Sequence, residues 1–242
     1  MDLGLEGKVA LLAASSRGLG RAVAGELAAE GASLVLTARG EAALRATADE
    51  IAARHAVPVL ALPADVGVRG EPERLVREGL ARFGRIDILL TNSGGPPAGP
   101  FESLTREAWD QATALVLGSV VEFCGAVLPG MKERRWGRIL NVGSIAAKQP
   151  VDNLMLSNSI RAAVIGFART LATEVAAFGV TVNTILPGFT RTERMVELSE
   201  VTAKKEGITP DAALVAFLAS ERASYITGQA MAVDGGWIRA LL

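Results

Sequence analysis

A glycine-containing loop near the start of the chain has the composition of a phosphate-binding turn. Its residues are Ala14-Ser15-Ser16-Arg17-Gly18-Leu19-Gly20, and it joins a short apolar run to an Ala-rich helical segment. Glycines at such a junction let the backbone approach a pyrophosphate, and the helix N-terminus supplies amide donors and positive potential. The alternative is that the glycines only mark a turn. The position at the first strand-to-helix junction favours a nucleotide site, although Ala14 stands where such loops usually carry their first glycine.

Two cations beside this loop indicate which nucleotide is bound. Arg39 follows the second apolar run, where NAD sites carry an acid for the ribose 2′-hydroxyl and where an arginine accommodates a 2′-phosphate. Arg17 lies in the phosphate loop itself. Together they favour NADP over NAD as the cofactor. The alternative is that both are solvated surface charges.

These loops need a framework, and the sequence predicts one in which short apolar strands alternate with amphipathic helices. The predicted strands are Val9–Ala14, Ser33–Ala38, Val57–Leu62, Ile86–Thr91, Arg138–Gly143, Thr181–Leu186 and Ala230–Val233. The predicted helices are Gly18–Glu30, Glu41–His55, Glu71–Arg82, Thr105–Arg134, Leu154–Phe178 and Pro210–Ser220. Such alternation implies right-handed crossovers and a parallel sheet with helices on both faces. We therefore predict a single α/β domain over residues 1–242, a doubly wound Rossmann fold of about seven strands.

Composition argues against several other classes of protein. The chain has 242 residues and a net charge of −1, which gives no support to nucleic-acid binding. One cysteine and one histidine cannot form the usual zinc site, so we expect no metal. Charges interrupt every apolar run before membrane-spanning length, and the N-terminus does not resemble a signal peptide. We expect a cytoplasmic protein without a membrane partner, with Cys124 a packed thiol and His55 a surface residue.

Further motifs follow the phosphate loop in a fixed order. They are Asp65-Val66, Asn92-Ser93-Gly94, Asn141-Val142-Gly143-Ser144, Val182-Asn183, Pro187-Gly188, Tyr225-Ile226-Thr227-Gly228-Gln229 and Val233-Asp234-Gly235-Gly236. In order and spacing, over essentially the whole chain, the sequence resembles the short-chain dehydrogenase/reductase family, especially its 3-oxoacyl-carrier-protein reductase-like branch. The resemblance implies hydride transfer between a nicotinamide and a carbonyl or alcohol carbon of a small-molecule substrate.

The resemblance also implies a set of cofactor-binding residues at the carboxyl ends of the strands. Asp65-Val66 would border the adenine, Asn92-Ser93-Gly94 the adenosine ribose, and Pro187-Gly188 the nicotinamide. The expected cofactor-binding residues are Ser15, Ser16, Arg17, Gly18, Leu19, Gly20, Arg39, Asp65, Val66, Asn92, Ser93, Gly94, Arg161, Pro187, Gly188 and Thr190.

The family's proton-transfer residues are replaced at three of four positions. Its substrate-binding serine corresponds to Ser144, its tyrosine to Ser157 and its lysine to Arg161, and the matching run Ala162–Phe167 supports this register. The asparagine of its water relay corresponds to Val116. A phenol, with a reference pKa of about 10, can be tuned towards neutrality, whereas a serine hydroxyl lies far above that range and an arginine stays protonated.

The expected catalytic set is therefore Ser144, Ser157 and Arg161. Arg161 would hold the ribose hydroxyls in place of lysine, and the two serines would polarise a carbonyl, with water as the proton source. Lys148 and Asp152, on the loop after Ser144, are alternative acids or bases, or else solvated loop residues.

The segment after Pro187 is shorter than in the family. Residues 190–209 are predicted to form a shortened substrate lid that begins with Thr190-Arg191-Thr192 and continues as a charged helix over Arg194–Glu206. Either the lid is short and the cleft more open, or the segment is incompletely represented.

Two functions agree with these observations. The first is an NADP-dependent oxidoreductase, with a 3-oxoacyl-like compound as one possible substrate and a non-standard proton-transfer site. The second is a catalytically impaired NADP-binding protein that acts as a sensor or oligomer partner. Two predicted helices carry surplus apolar residues, namely Val120, Val121, Phe123, Val164 and Phe167. Since family members pair these helices across a two-fold axis, we expect a homo-oligomer, a tetramer or at least a dimer.

Overall fold

The computed structural model describes residues 2–188 and 209–238, and these residues form one parallel sheet with helices on both faces. The strands are β1 (Val9–Ala13), β2 (Ser33–Ala38), β3 (Val59–Pro63), β4 (Ile88–Thr91), β5 (Gly137–Val142), β6 (Val180–Pro187) and β7 (Ala230–Val233). Their order across the sheet is β3-β2-β1-β4-β5-β6-β7, and every neighbouring pair is parallel. The predicted doubly wound fold is confirmed.

The helices cover the sheet in two layers. They are α1 (Gly18–Ala29), α2 (Glu41–His55), α3 (Glu71–Phe83), α4 (Arg106–Thr113), α5 (Ser119–Glu133), α6 (Met155–Val175) and α7 (Pro210–Ala219). Short 3₁₀ turns occupy Phe101–Ser103, Ile145–Ala147, Ala176–Phe178 and Glu221–Ala223. One hydrophobic cluster joins the sheet to α3, α5 and α6, and the other joins it to α1, α2 and α7. Burying both faces of the sheet explains why the strands are almost continuously apolar.

The fourth strand begins two residues later than predicted, at Ile88. The residue before it, Asp87, is fully buried and anchors the start of the strand with its carboxylate. This carboxylate accepts hydrogen bonds from the Val9 amide at 3.0 Å and from Arg85 Nε at 2.7 Å. The charge of Asp87 is therefore paired. It lies at the amino end of the sheet, away from the carboxyl ends of the strands, where ligands of such sheets bind.

The prediction of a single regular helix over Thr105–Arg134 is wrong. Thr105 caps α4 through its side chain, which accepts a hydrogen bond from the Ala108 amide at 3.2 Å. A five-residue π turn, Ala114–Gly118, then separates α4 from α5. Such insertions shift the helix register and often occur at functional sites. Val116 lies in this turn and is 3% exposed.

The stretch Arg106–Glu133 is, among the described residues, the one helical stretch long and apolar enough to cross a membrane. Its second half, α5, packs on β4, β5 and α3. These contacts are those of a helix that covers one face of the sheet.

The sequence predicted more apolar residues on these helices than the sheet needs, but most of them belong to the core. Val120, Phe123 and Val164 are buried in the cluster that joins α5 and α6 to the sheet, and Phe167 packs against it. Only Val121 of that set is exposed, at 45%. Thr190, the helix predicted over Arg194–Glu206 and the lid up to residue 208 lie outside the described residues.

Asp211, in the first turn of α7, carries a buried carboxyl group that lacks a full set of hydrogen-bond partners. Its side chain is 7% exposed, and Oδ1 has no hydrogen-bond partner among the described residues. Burial raises the pKa of this carboxyl to about 6. The folded state disfavours the charged form of this carboxyl. Its charge therefore lowers the free energy of unfolding by the full amount above about pH 6, and has no effect below the ordinary pKa of aspartate.

We therefore expect the protein to become less stable as the pH rises from about 5 to about 7.5, and Asp211→Asn to remove this dependence. The titration of one such group over this interval is worth about 1 kcal/mol, or about 2–4 °C in Tm for a domain of this size. Thermal unfolding at both pH values measures this shift in Tm, with the substitution of an exposed aspartate on α2, Asp49→Asn, as the control variant. A difference in Tm between the two pH values that is equal in the parent and in Asp211→Asn would contradict this assignment.

Candidate functional site

A cleft of about 510 Å³ lies at the carboxyl ends of the first four strands. Its lining residues are Ala14, Ser16, Arg17, Ala38, Arg39, Gly40, Ala43, Ala64, Asp65, Val66, Ser93, Gly94, Gly95 and Leu115. The cleft opens where the strand order reverses, because β1 lies between β2 and β4. Ligands of open α/β sheets bind at this kind of crevice. The structure thus brings together the loops that the sequence analysis selected separately.

The phosphate loop turns sharply at its first residue. Ala14 adopts φ +51°, the left-handed region in which glycine is the usual residue, so the chain makes this turn with alanine. Gly20 follows in the first turn of α1, where an added Cβ would collide with the Ala14 carbonyl oxygen and lie 2.9 Å from Ser15 Cα. Glycine at this position is what lets α1 begin close against the end of β1.

The loop over residues 14–20 leads from the cleft into the N-terminus of α1. Arg17 is the cap residue of α1, in an extended conformation, and no side chain caps the helix there. The first amides of α1 are therefore open to an anion, with the positive end of the helix dipole behind them. Ser16 and Arg17 line the cleft, whereas Gly18, with φ +56°, provides the turn into the helix.

Ser15 has a structural role instead. It is fully buried, and its hydroxyl donates to the Leu12 carbonyl at 3.0 Å and accepts from the Thr37 amide at 3.1 Å. These bonds tie the end of β1 to β2. The side chain of Ser15 thus supports the loop from below and does not line the cleft.

The two arginines predicted to select the nucleotide both line the cleft. Arg39 is largely exposed, and its Nη1 lies 4.0 Å from Asp65 Oδ2. Asp65 is itself oriented by the Gly67 amide, which donates to Oδ1 at 3.0 Å. A 2′-phosphate between Arg17 and Arg39 would replace this weak, solvated ion pair with a charge-assisted contact.

A second cavity of about 10 Å³ adjoins the cleft through Ser93, which lines both. Its wall includes Asn92, Val116, Gly143 and Arg161. Val116 is thus placed beside Arg161, as the family register predicts, but it contributes an apolar wall and no group that could hold water.

Arg161 is buried, with 8% of its surface exposed. Its Nη1 donates to the carbonyl oxygens of Val142 at 2.8 Å and Gly143 at 3.0 Å, which fastens α6 to the end of β5. No carboxylate of the described residues pairs with it, and burial lowers the pKa of its guanidinium. The Nη1 group is therefore committed to the protein, and the other guanidinium N–H groups are left for a ligand.

Ser144 and Ser157 each neighbour a segment that Arg161 joins, the end of β5 and the start of α6. Ser144 follows Gly143 directly, and its half-buried hydroxyl accepts a hydrogen bond from the Ala146 amide at 3.2 Å, which leaves its proton free to be donated. Ser157 precedes Arg161 by one turn of α6, is half-buried, and has no hydrogen-bond partner among the described residues. Neither serine lines either of the two cavities, whereas Arg161 lines the smaller one.

The loop between these two serines is held by a residue that sequence reasoning missed. Asn158 donates from Nδ2 to the Val151 carbonyl at 3.0 Å and accepts at Oδ1 from the Val151 amide at 3.3 Å. It thereby sets the position of Ser157 relative to the loop. The feature of the sequence that could have indicated Asn158 is its position directly after Ser157, a candidate catalytic residue. Lys148 is half-buried and Asp152 exposed on this loop, and neither lines the two cavities.

The expected nicotinamide loop is shaped by its neighbour strand. The Gly188 amide donates to the Val233 carbonyl at 3.0 Å, and an added Cβ would lie 2.8 Å from Asp234 Cα. The approach of the segment after β7 thus requires glycine here. Pro187 and Gly188 do not line either cavity, and the lid that follows them lies outside the described residues.

Comparison with known proteins gives consistent matches along the whole chain. A sequence profile described as enoyl-(acyl carrier protein) reductase matches residues 13–238. The chain is 36% identical to the 3-oxoacyl-[acyl-carrier-protein] reductase of Vibrio cholerae, covering 97% of this chain and 98% of that protein. It is 33% identical to D-beta-hydroxybutyrate dehydrogenase of Cupriavidus necator, covering 97% and 99%.

Two solved structures show the same fold. L-sorbose reductase from Gluconobacter frateurii, in complex with NADPH and L-sorbose, superposes with a TM-score of 0.90 at 32% identity, with both chains covered completely. YwfH, an NADPH-dependent reductase involved in bacilysin biosynthesis, superposes with a TM-score of 0.87 at 27% identity and covers 97% of this chain and 99% of its own.

The positions of Arg17 and Arg39 predict that the protein binds NADPH more tightly than NADH. Arg39→Asp should weaken or reverse this preference, because it replaces the partner of the 2′-phosphate with a like charge. Fluorescence titration of both cofactors measures the ratio of Kd values, and Arg54→Asp on α2, outside the cleft, is the matched control. Equal affinity of the parent protein for the two cofactors would exclude this role for Arg39.

Proposed function

Because the chain belongs to the short-chain dehydrogenase/reductase family, we propose that it is an NADPH-dependent reductase that transfers a hydride to a small carbonyl compound. The observation that carries the proposal is the 510 Å³ cleft, in which the carboxyl ends of four strands, an uncapped helix N-terminus and two arginines converge. When bound, the nicotinamide supplies the hydride.

The residues of the cleft suit the parts of NADPH. The amides at the start of α1 would hold the pyrophosphate, and Arg17 with Arg39 the 2′-phosphate. Asp65 with Val66 would border the adenine, and Asn92, Ser93 and Gly94 the adenosine ribose. The free N–H groups of Arg161 would reach the nicotinamide ribose from the small cavity.

The names of the relatives support an oxygenated substrate, but they differ in which compound it is. Their names include an acyl group on a carrier protein, D-beta-hydroxybutyrate and L-sorbose. Since hydride transfer depends largely on how the two reactants are positioned, a site with a weak proton donor retains part of the rate. We place the protein in the cytoplasm, where the buried free thiol of Cys124 would stay reduced.

The second candidate is a catalytically impaired NADPH-binding protein that acts as a sensor or oligomer partner. The observation that favours it is the replacement of the family's tyrosine, lysine and asparagine by Ser157, Arg161 and Val116. Both candidates bind NADPH, so binding does not separate them.

The test is steady-state oxidation of NADPH with a panel of ketones and 3-oxoacyl thioesters, run beside a binding titration. Turnover above the rate without protein supports the reductase. Tight binding of NADPH with no turnover on the panel supports the sensor. Absence of NADPH binding would reject both.

Restoring the family's residues gives a prediction about the proton donor. Ser157→Tyr with Arg161→Lys should raise carbonyl reduction at least about tenfold, towards the low end of what a positioned acid contributes. Ser157→Tyr alone should help less, because Arg161 stands in the path of the phenol. The control pair, Ser224→Tyr with Arg45→Lys, changes exposed residues that lie outside α5, α6 and both cavities. If the parent reduces ketones rapidly and the restored pair slows it, the serine and arginine site is a working alternative.

We also propose that the protein is a homo-oligomer, either a dimer or a tetramer, that pairs through α5 and α6. Val121 is exposed on α5, and the small residues Ala162, Ala163 and Gly166 leave the outer side of α6 open to close helix packing. The same surface on two copies would form an isologous contact.

Light scattering should therefore give a mass that is a multiple of 25.2 kDa at micromolar concentration. Val121→Lys should lower that mass, because it brings two like charges into an apolar contact. Val68→Lys alters a valine in the loop before α3 that is also exposed, and serves as the control. A monomer in the parent protein would rule out the assembly.

A further inference from the structure

The small cavity beside the cleft is lined by a positive charge that nothing in the described residues balances. Arg161 is nine-tenths buried there, and its only hydrogen bonds among the described residues are those from Nη1 to the carbonyl oxygens of Val142 and Gly143. Burial alone lowers the pKa of its guanidinium, with no carboxylate acting against it. A buried charge without a counter-charge is destabilising, so an anion that reached the free N–H groups would bind favourably.

The wall of this cavity adds hydrogen-bond donors and contains no acid. The side chains of Asn92 and Ser93 line it and have no hydrogen-bond partner among the described residues, so their amide and hydroxyl protons are available. The two other hydroxyls of the wall give their protons to the protein. Thr91 donates to Asn141 Oδ1 at 2.7 Å, and Ser119 donates to a carbonyl of the preceding turn at 2.6 Å. The groups left for a ligand are therefore an amide, a hydroxyl and a cation, which together favour an anion.

The size and the apolar part of the cavity restrict which anion can bind. Its volume of about 10 Å³ holds about one water-sized particle, which excludes phosphate and carboxylate groups. The apolar part of the wall consists of four valines, Val116, Val120, Val142 and Val164. Because these side chains cannot replace the water around an ion, the cavity favours a monatomic anion that gives up its hydration readily. Chloride and bromide meet this requirement better than fluoride.

We propose that the small cavity binds one chloride ion, which Arg161 holds together with Asn92 and Ser93. The site adjoins the cofactor cleft, because Ser93 lines both cavities. The free N–H groups of Arg161 are also those that would reach the nicotinamide ribose, so chloride and the cofactor compete for them. This competition rests on the proposed binding of NADPH, whereas the chloride site itself does not.

Thermal unfolding without cofactor tests the chloride site. The sodium salts of chloride, bromide and fluoride are compared at equal ionic strength. At about ten times its Kd, chloride or bromide should raise the Tm of the parent protein by about 3–6 °C above the value in fluoride. Arg161→Met should lose this difference. Arg45→Met makes the same substitution at an exposed arginine of α2, outside both cavities, and should keep the difference.

A second variant and a direct measurement apply if Arg161→Met does not fold. Ser93→Ala keeps the guanidinium but removes one donor, so it should reduce the difference in Tm between chloride and fluoride. Bromide scatters X-rays anomalously, and a crystal soaked in sodium bromide should show an anomalous peak in contact with the Arg161 guanidinium. The chloride site is overturned if that peak is absent, or if the parent has the same Tm in chloride as in fluoride. An equal difference in the parent and in Arg161→Met also overturns it, since a cavity that holds only water gives that result.

Fluorescence titration of NADPH in chloride and in fluoride, at equal ionic strength, tests the competition. Chloride at about ten times its Kd should raise the Kd of NADPH about tenfold in the parent, and Arg161→Met should lose this effect. A chloride-dependent Tm with an unchanged Kd of NADPH overturns the competition and leaves the chloride site standing. Absence of NADPH binding rejects the proposed reductase together with the competition, while the shift in Tm still supports the chloride site.

Discussion

Strand β1 is hydrogen-bonded to β2 on one side and to β4 on the other, and this double pairing positions the whole cleft. The helix that follows β1 packs on one face of the sheet, and α5, which follows β4 through α4, packs on the opposite face. The two connections therefore diverge at the carboxyl edge and leave space between them. The buried hydroxyl of Ser15 stabilises this edge because it bonds both β1 and β2.

Of the four buried charged residues among the described ones, Asp87 and Arg138 have charged partners, whereas Asp211 and Arg161 have none. Asp87 lies between the Val9 amide and Arg85, and Arg138 lies 3.6 Å from Glu221 and over the ring of Trp136. Asp211 loses its unpaired charge only below about pH 6, where its raised pKa lets it hold a proton. Arginine has no such route, so Arg161 bears the cost of desolvation with only carbonyl oxygens as partners. Unpaired buried charges of this kind cluster at functional sites.

Sequence patterns predicted the order of elements well, because apolar periodicity and loop glycines report directly on strands, helices and turns. Strand β7 and helix α2 have the predicted bounds. The π turn at Ala114–Gly118 was missed, because one inserted residue hardly changes an apolar pattern. The loops that line the cleft were selected from their residue types. The inward orientation of Ser15 and the contacts of Arg161 were not, since side-chain direction depends on packing between segments distant in sequence.

The nature of the substitutions at the site bears on whether it has decayed or changed its chemistry. The tyrosine and asparagine positions of the family serve delivery of a proton to oxygen, and both are replaced by groups that cannot do this, Ser157 and Val116. The lysine position keeps its positive charge in Arg161, although that charge is buried and unpaired. An apolar residue of similar size would remove the desolvation cost and pack against Val116 and Val164. Loss of function would thus favour loss of the charge. Retention of a buried cation at Arg161 therefore favours a site that still binds a ligand over a site that has decayed.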